Sequence, residues 1–242
     1  FLNNDRVKKI SFEKGSKVKT ISRRAFEECT KLESIELPNT VTYIGDEAFK
    51  SCTSLTSITM PNSLTTIEYN AFGNCIKLQT ITLNEGLEKI GLNAFSGCEV
   101  LTEVELPSTL VSLGKDAFYD CIALDLKVAS GNTDFVVTNN ILYHNIDNGK
   151  KELVLSLDKN ITEITSVDSS VTKICANAYA NATNVKTINI PNTVKEIEEN
   201  AFSGCTSVVS VTLPFIGTSL DGPYTFKAVF GKATTSIKSI KI

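Results

Sequence analysis

The amino-acid sequence predicts a solenoid, in which short coils stack along the chain and each contributes one β-strand. The first observation is a repeat, because five Ala-Phe pairs recur at intervals of 23 residues and a cysteine follows each alanine by four positions. The second is the alternation of apolar and polar residues after each cysteine, which indicates a strand with one buried face. A single unit of this kind cannot bury its apolar face alone, so neighbouring units must stack.

The Ala-Phe pairs fix the order of the repeats. The five regular pairs are Ala25-Phe26, Ala48-Phe49, Ala71-Phe72, Ala94-Phe95 and Ala117-Phe118. After a longer segment the pattern returns at Ala178-Tyr179 and Ala201-Phe202, and a degraded copy follows near Phe230. The sequence therefore predicts about eight coils.

Each repeat has two halves with different patterns. In the first half, a strand segment such as residues 32–37 ends at a proline, here Pro38, which cannot donate the next hydrogen bond of a sheet. In the second half, Ile44, Ala48 and Cys52 are spaced by four residues, so that they share one face. This half is expected to form a short helical or 3-10 turn, or a short second strand.

The string Ile44-Gly45-x-x-Ala48-Phe49-x-x-Cys52-x-x-Leu55-x-x-Ile58-x-Met60-Pro61 resembles the BspA-like, Treponema-type leucine-rich repeat of bacterial surface proteins and some parasitic protists. The resemblance covers almost the whole chain and recurs in seven copies. It implies a right-handed leucine-rich-repeat solenoid, to which the residue pattern adds about eight coils and one β-hairpin insertion. It also implies a secreted or surface-displayed protein that is not an enzyme and that mediates protein–protein contact, adhesion or host interaction.

The length, composition and net charge of the chain agree with one folded domain spanning residues 1–242. Of these residues 42% are hydrophobic and the formal net charge is −3, which is typical of a folded protein. We expect regular repeats at residues 7–123, an expanded repeat at 124–184 and further repeats at 185–242. A solenoid grows by stacking, so this length does not require a second core.

The expanded repeat holds a predicted β-insertion. Between Ala117 and Ala178 the sequence contains several β-prone runs, separated by turn signals that include Asn148-Gly149. We expect a β-hairpin or a three-stranded excursion from one coil. Insertions of this kind often carry a binding site, and Tyr143 and His144 are then the candidate binding residues. Alternatively, the extra strands only widen the sheet or cover an edge.

Six cysteines in register suggest a column of thiols. They are Cys29, Cys52, Cys75, Cys98, Cys121 and Cys205. Stacked coils place neighbours about 4.8 Å apart, which lies inside the range for disulfides. However, Ala182 takes the same place in one copy, which indicates a small apolar group in a tight column. We expect buried, reduced structural thiols and no metal, since no Cys-x-x-Cys pair is present; bridges between neighbours stay open.

Catalytic signals are weak. The single histidine, His144, has no Gly-x-Ser-x-Gly motif to accompany it. The glutamates Glu33, Glu36, Glu103 and Glu105 lie at outward strand positions without a predicted cleft, unlike the paired acids of glycosidases. No glycine-rich phosphate loop is present. We therefore expect no catalytic residue and no cofactor; an enzyme or carbohydrate-binding module acting through the insertion is an alternative.

The outward face of the strands is the second candidate binding surface. Its candidate residues are Glu36, Thr59, Thr82, Glu105 and Thr212. Such a polar sheet suits many small contacts to a protein or glycan, although threonine is also simply a good exposed β-residue. No exposed aromatic cluster is apparent in the pattern, so the strongest kind of interface anchor is not predicted.

Charge and hydropathy restrict the partners. The chain has 24 basic and 27 acidic residues, which disfavours nucleic acid and anionic membranes. No apolar run approaches the roughly 20 residues of a spanning helix. We expect an extracellular or cell-surface protein that binds a protein or glycan on host or neighbouring cells. The alternative is a structural spacer that holds another module away from the cell surface.

Overall fold

The computed structural model is built from short parallel β-strands joined by tight turns. It describes residues 1–215, 218–219, 225–231 and 233–242. These residues form two compact units, Phe1–Thr133 and Asp134–Ile242, which are described separately. In the described part of the chain, about nine turns of about 23 residues agree with the predicted number of coils.

The first unit contains two rows of strands. In chain order they are β1 Lys9–Ile10, β2 Thr20–Ile21, β3 Ser34–Ile35, β4 Tyr43–Ile44, β5 Ser57–Thr59, β6 Thr66–Ile67, β7 Thr80–Thr82, β8 Lys89–Ile90, β9 Glu103–Leu106, β10 Ser112–Leu113 and β11 Asp125–Val128. The odd-numbered strands form the first row, with β1 paired to β3 and a parallel sheet of β5, β7, β9 and β11. The even-numbered strands form the second row, one five-stranded parallel sheet. Each coil therefore contributes one predicted strand and one short second strand.

After the second-row strand, two residues of each coil adopt a left-handed backbone conformation. In one coil these residues are Asn70 and Asn74, with φ angles of 53° and 58°. Asparagine, aspartate and glycine tolerate this conformation best. They hold the equivalent places in most coils, at Asn93, Gly97, Asp116, Asp120, Asn177, Asn181, Asn200 and Gly204. A positive φ interrupts a helix, so this segment runs as two tight turns.

Aromatic rings stack behind these turns in the first unit. The ring centroids of Phe49 and Phe72 are 5.0 Å apart, with an interplanar angle of 8°. Phe72 and Phe95 follow at 5.3 Å. The backbones of adjacent coils are also hydrogen-bonded beside these rings, since the Phe49 N–H donates to the carbonyl oxygen of Ala71 at 2.7 Å. These rings are fully buried, and they form the core together with columns of isoleucine, leucine, alanine and cysteine.

The second unit continues the same architecture. Its strands are β12 Phe135–Thr138, β13 Ile141–Ile146, β14 Lys150–Ser156, β15 Glu163–Ile164, β16 Val171–Ile174, β17 Thr187–Asn189, β18 Glu196–Ile197, β19 Ser210–Thr212 and β20 Ser239–Lys241. A short helix, α1, spans Phe226–Phe230, and 3-10 segments span Asp147–Gly149 and Ala233–Ser236. One parallel sheet has the order β15, β17, β19, β20. The ring of Phe202 packs against those of Tyr179 and Phe230, at centroid distances of 5.6 and 5.2 Å. The degraded last copy of the repeat therefore keeps an aromatic residue, Phe230, at this position.

The predicted β-insertion is confirmed, and it widens a sheet. Strands β12, β13 and β14 are antiparallel, and β14 then pairs in parallel with β16, giving the order β12, β13, β14, β16, β18. The turn between β12 and β13 uses Asn139 and Asn140, both with positive φ, as expected for a two-residue hairpin. The inserted strands β12, β13 and β14 thus extend the sheet that contains β16 and β18, the second-row strands of this unit.

The left-handed positions predict an effect on stability. Ser51 has a φ of 58° where most other coils carry asparagine, aspartate or glycine, a conformation that costs a residue with a β-carbon about 1–2 kcal/mol. Glycine removes this cost but adds about 0.5–1 kcal/mol of chain entropy. We expect Ser51→Gly to raise the free energy of unfolding by about 0.5 kcal/mol, measured by urea denaturation.

The control is Ser96→Gly, the same substitution at a position without a positive φ. Here only the entropic cost applies, so the urea midpoint should fall. Equal destabilisation by both substitutions would contradict the role assigned to the left-handed turns.

Candidate functional site

Three of the predicted binding residues lie together on the outward face of the first row. In β5 the exposed Thr59 alternates with the buried Ile58, and Thr59 pairs in register with Thr82 on β7. Glu105 occupies the corresponding outward place on β9, where Thr80 pairs with Glu103 two residues earlier. Glu36 follows β3 on an earlier coil, and Thr212 lies on β19 of the second unit.

A groove of about 290 Å³ lies where β7 and β9 end, and we call it the strand-end groove. Its lining includes Thr82, Glu85, Glu103, Glu105, Pro107 and Lys127. The Lys127 ammonium contacts the Glu103 carboxylate at 2.7 Å, and this hydrogen bond lowers the pKa of Glu103. Glu85 accepts a hydrogen bond from the Ser108 hydroxyl at 2.8 Å. Within the described residues, no ion pair engages Glu105, so its carboxylate faces solvent.

Glu36 lies at a different depression. A second groove, of about 400 Å³, is lined by Phe12–Ser16 and by residues from Glu36 to Thr40. The Glu36 carboxylate is 2.8 Å from the Lys9 ammonium, and the hydrogen bond from Lys9 lowers the pKa of Glu36. Glu36 is therefore already paired within the chain, unlike Glu105.

In the insertion, Tyr143 is not available to a partner. Its side chain is only 4% exposed, because it lies in the hydrophobic core of the second unit together with Leu153, its register partner on β14. Burial raises the pKa of the Tyr143 phenol, with a smaller contribution from Asp168. The prediction of Tyr143 as a surface binding residue is corrected accordingly.

His144 is half-buried and belongs to a row of side chains that crosses the widened sheet. Its ring stacks on Phe135 at 5.0 Å, and its Nδ1 is 3.2 Å from a carboxylate oxygen of Glu152. Glu152 pairs in register with Lys173 on β16, and the Lys173 ammonium is 2.7 Å from Glu198. His144 thus joins the insertion to the rest of the sheet. The sequence did not reveal Glu152 and Lys173, because their proximity depends on the parallel register of β14 and β16.

The predicted cysteine column is buried, and each thiol has a specific acceptor. The Sγ atoms of Cys52 and Cys75 donate to the carbonyl oxygens of Phe26 and Phe49, both at 3.1 Å. The same bond recurs for Cys29, Cys98, Cys121 and Cys205. All seven cysteines lie within the described residues and none forms a disulfide. The column therefore satisfies backbone acceptors as well as filling space.

Burial keeps these thiols protonated. It raises the pKa of Cys52 to about 12 and that of Cys205 to about 11. Cys175, outside the column, is only partly exposed; burial and then the charges of Glu152 and Glu198 raise its pKa to about 12. A thiol acts as a nucleophile through its thiolate, so none of these cysteines is suited to covalent catalysis at neutral pH.

Metal ligation and membrane crossing both require side chains in particular arrangements. The part of the chain that the structure describes contains no group of three His, Cys, Asp or Glu side chains placed to hold a metal ion. Among the same residues, no helix has the length and apolar character needed to cross a bilayer.

One exposed cluster was not expected from the sequence. Tyr43 and Tyr69 are 36% and 40% exposed, and Leu92 is 41% exposed, all in the second half of successive coils of the first unit. The expectation of no exposed aromatic cluster concerned the outward face of the first row, whereas Tyr43 lies on β4 in the second row. The available signal was the position of each tyrosine relative to the Ala-Phe pair, which places both outside the inward columns.

The stacked coils, each with one Leu-x-x-Ile-x-Leu strand, define a leucine-rich-repeat solenoid. The chain matches the BspA type Leucine rich repeat region (6 copies) over residues 1–140 and 156–242, and it belongs to this family. The resemblance inferred from the repeat is thereby confirmed. No functionally curated protein sequence matches the chain.

Several solved structures share the fold. A leucine rich cell surface protein from Faecalibacterium prausnitzii A2-165 has a TM-score of 0.72 and 23% identity, over 100% of this chain and 74% of its own. A leucine-rich repeat protein from Bacteroides ovatus has a TM-score of 0.58 and 23% identity, covering 100% and 76%. The pneumococcal vaccine antigen PcpA has a TM-score of 0.57 and 22% identity, covering 88% and 50%. At these identities the similarity establishes the fold alone.

The thiol pKa values predict the pattern of alkylation. In the native protein at about pH 8, iodoacetamide should leave the column cysteines unmodified, and Cys175 should react at a rate that rises about tenfold per pH unit. In concentrated urea all seven cysteines should react. Peptide mass spectrometry measures each site, and Cys175→Ala is the control for the partly exposed thiol. Native labelling of Cys75 at the unfolded rate would contradict this assignment.

The row through His144 predicts a local change in dynamics. His144→Ala removes the stack on Phe135 and the contact with Glu152, which together contribute about 1 kcal/mol. Amide hydrogen exchange in β12 and β13 should therefore become about fivefold faster. Lys150→Ala, an exposed change in the same insertion, should leave the exchange unchanged; equal effects would argue against a joining role for His144.

Proposed function

We propose that this protein is a non-enzymatic, secreted or cell-surface leucine-rich-repeat protein that binds a protein or glycan on host or neighbouring cells. The binding surface is the outward face of the first row, centred on the strand-end groove. The observation that carries the proposal is the juxtaposition of Thr59, Thr82 and Glu105, exposed on successive coils. Their hydroxyl and carboxylate groups are presented by a rigid sheet, which reduces the entropy lost on binding.

The chemistry of the described side chains supports a role in binding over a role in catalysis. The cysteines are buried or have raised pKa values, and His144 is engaged by Phe135 and Glu152. The strand-end groove contains carboxylates, but Glu103 and Glu85 are already bound by Lys127 and Ser108. Glu105 is the remaining carboxylate of the groove, and one free carboxylate does not supply the pair of general acid and base that glycoside hydrolysis requires.

Location outside the cell is supported by the family and by a structural relative. The Faecalibacterium prausnitzii protein that shares this fold is described as a cell surface protein. An extracellular site is compatible with six buried thiols, because each is closed off from oxidants by the stacked coils and donates to a carbonyl oxygen.

The test is a binding measurement on the purified chain. Arrays of immobilised extracellular-matrix proteins and of glycans identify the strongest ligand, and surface plasmon resonance then compares variants. We expect Thr82→Arg and Glu105→Lys to weaken binding at least tenfold, because each places a large or oppositely charged group in the groove. The melting temperature should be unchanged, since both side chains face solvent.

Ser112→Arg is the matched control, because Ser112 is also an exposed outward strand residue but lies in the second row. It should retain the affinity of the original chain. Arrays that give no ligand with well-folded protein, or equal affinity in all three variants, would contradict binding through this face and would favour the role of a spacer.

A further inference from the structure

The second row of the first unit presents a face with a chemistry different from that of the first row. Its exposed residues include Tyr43, Tyr69 and Leu92, with the acidic residues Asp46 and Glu68 beside them. We call these five residues the tyrosine patch. A single exposed apolar residue is common on any protein, but tyrosine is enriched at protein interfaces and among their strongest anchor residues.

Backbone hydrogen bonds place three members of the patch in one column. The Arg24 N–H donates to the Asp46 carbonyl oxygen at 2.9 Å, and the Glu47 N–H donates to that of Tyr69 at 2.8 Å. On the next coil, the Asn70 N–H donates to the Leu92 carbonyl oxygen, also at 2.9 Å. Asp46, Tyr69 and Leu92 therefore stand on successive coils about 4.8 Å apart.

Tyr43 borders this column on β4. Between Tyr43 and Asp46 the chain has Gly45, where a β-carbon would lie only 2.8 Å from the backbone nitrogen of Arg23. Gly45 is buried, so the close approach of the two coils at this point leaves no room for a side chain. Burial raises the pKa of the Tyr43 phenol, and the charges of Glu68 and Asp46 raise it further.

The two carboxylates of the tyrosine patch differ in whether an ion pair neutralises them. Glu68 is neutralised by Lys89, whose ammonium lies 2.9 and 3.0 Å from its two carboxylate oxygens. Asp46 makes no ion pair with any described residue, although Arg23 stands one coil before it in the same column. An unneutralised carboxylate thus adjoins an exposed tyrosine ring.

We propose that the tyrosine patch binds an arginine side chain of a partner polypeptide. The guanidinium group stacks on the ring of Tyr69 and forms paired hydrogen bonds to the Asp46 carboxylate, while a neighbouring apolar residue of the partner packs on Leu92. A guanidinium is planar, weakly hydrated and always charged, so it satisfies a ring and a carboxylate at once. A lysine ammonium lacks the planar fork, and a neutral sugar makes no use of the charge of Asp46. This surface is separate from the strand-end groove.

The test uses three fluorescein-labelled hexapeptides, of arginine, of lysine and of citrulline, in fluorescence anisotropy titrations at physiological salt. Citrulline keeps the shape of arginine but has no charge. We expect the arginine peptide to bind most tightly, the lysine peptide about tenfold more weakly and the citrulline peptide not measurably. Asp46→Asn and Tyr69→Ala should each reduce affinity for the arginine peptide about tenfold.

Two further variants separate binding from folding and from general charge. Tyr69→Phe keeps the ring and should retain the affinity. Glu99→Gln removes the same charge as Asp46→Asn from an exposed position elsewhere on this unit, and it should change nothing. Equal affinities for arginine and lysine peptides, or equal losses for Glu99→Gln and Asp46→Asn, would overturn the proposal. Loss of a glycan signal in Tyr69→Ala, with the arginine peptide unaffected, would assign the patch to sugars instead.

Discussion

The hydrogen bonding between successive coils is the constraint on which the rest of each unit depends. Each coil satisfies part of its backbone through the next one, as the Phe49 N–H does through the Ala71 carbonyl, so every coil must repeat the backbone path of its neighbour. Buried backbone groups that lose such partners cost about 1–3 kcal/mol each. The spacing of 23 residues is the length at which both strand rows and the turns return to the same register.

The inward columns follow from the same constraint. Alanine at the turn permits the close approach, and the aromatic rings then stack at the coil spacing. Cysteine is small enough for the third column and still donates to the carbonyl of the aromatic residue in the preceding coil. In one copy Ala182 replaces cysteine, and the preceding coil there carries Ser156 at the aromatic position, at the end of the inserted strand β14.

The sequence predicted what repeats and missed what depends on register or exposure. The strands ending at proline, the thiol column and the β-insertion between Ala117 and Ala178 follow from local patterns. The left-handed turns also left a signal, since asparagine, aspartate or glycine recurs before the alanine and cysteine of most coils. In contrast, the burial of Tyr143 depends on its pairing with Leu153 of β14 in the core of the second unit, and the pairing of Glu152 with Lys173 requires the partner strand. No local pattern specifies either.

Departures from the repeat are most informative where the turns hold charged residues. Glu47 has a φ of 55° in place of asparagine, yet its buried carboxylate is held by Lys50 at 2.8 Å and by Arg24 at 2.6 Å. Hydrogen bonding from Lys50 lowers the pKa of Glu47; burial opposes this shift, and hydrogen bonding from Arg24 adds to it. The ion pairs therefore offset the strain of this turn. Because Asp46 directly precedes Glu47, its backbone is fixed before any partner arrives. A carboxylate placed by a rigid turn loses little entropy on binding, which is the property that a recognition residue on a solenoid face requires.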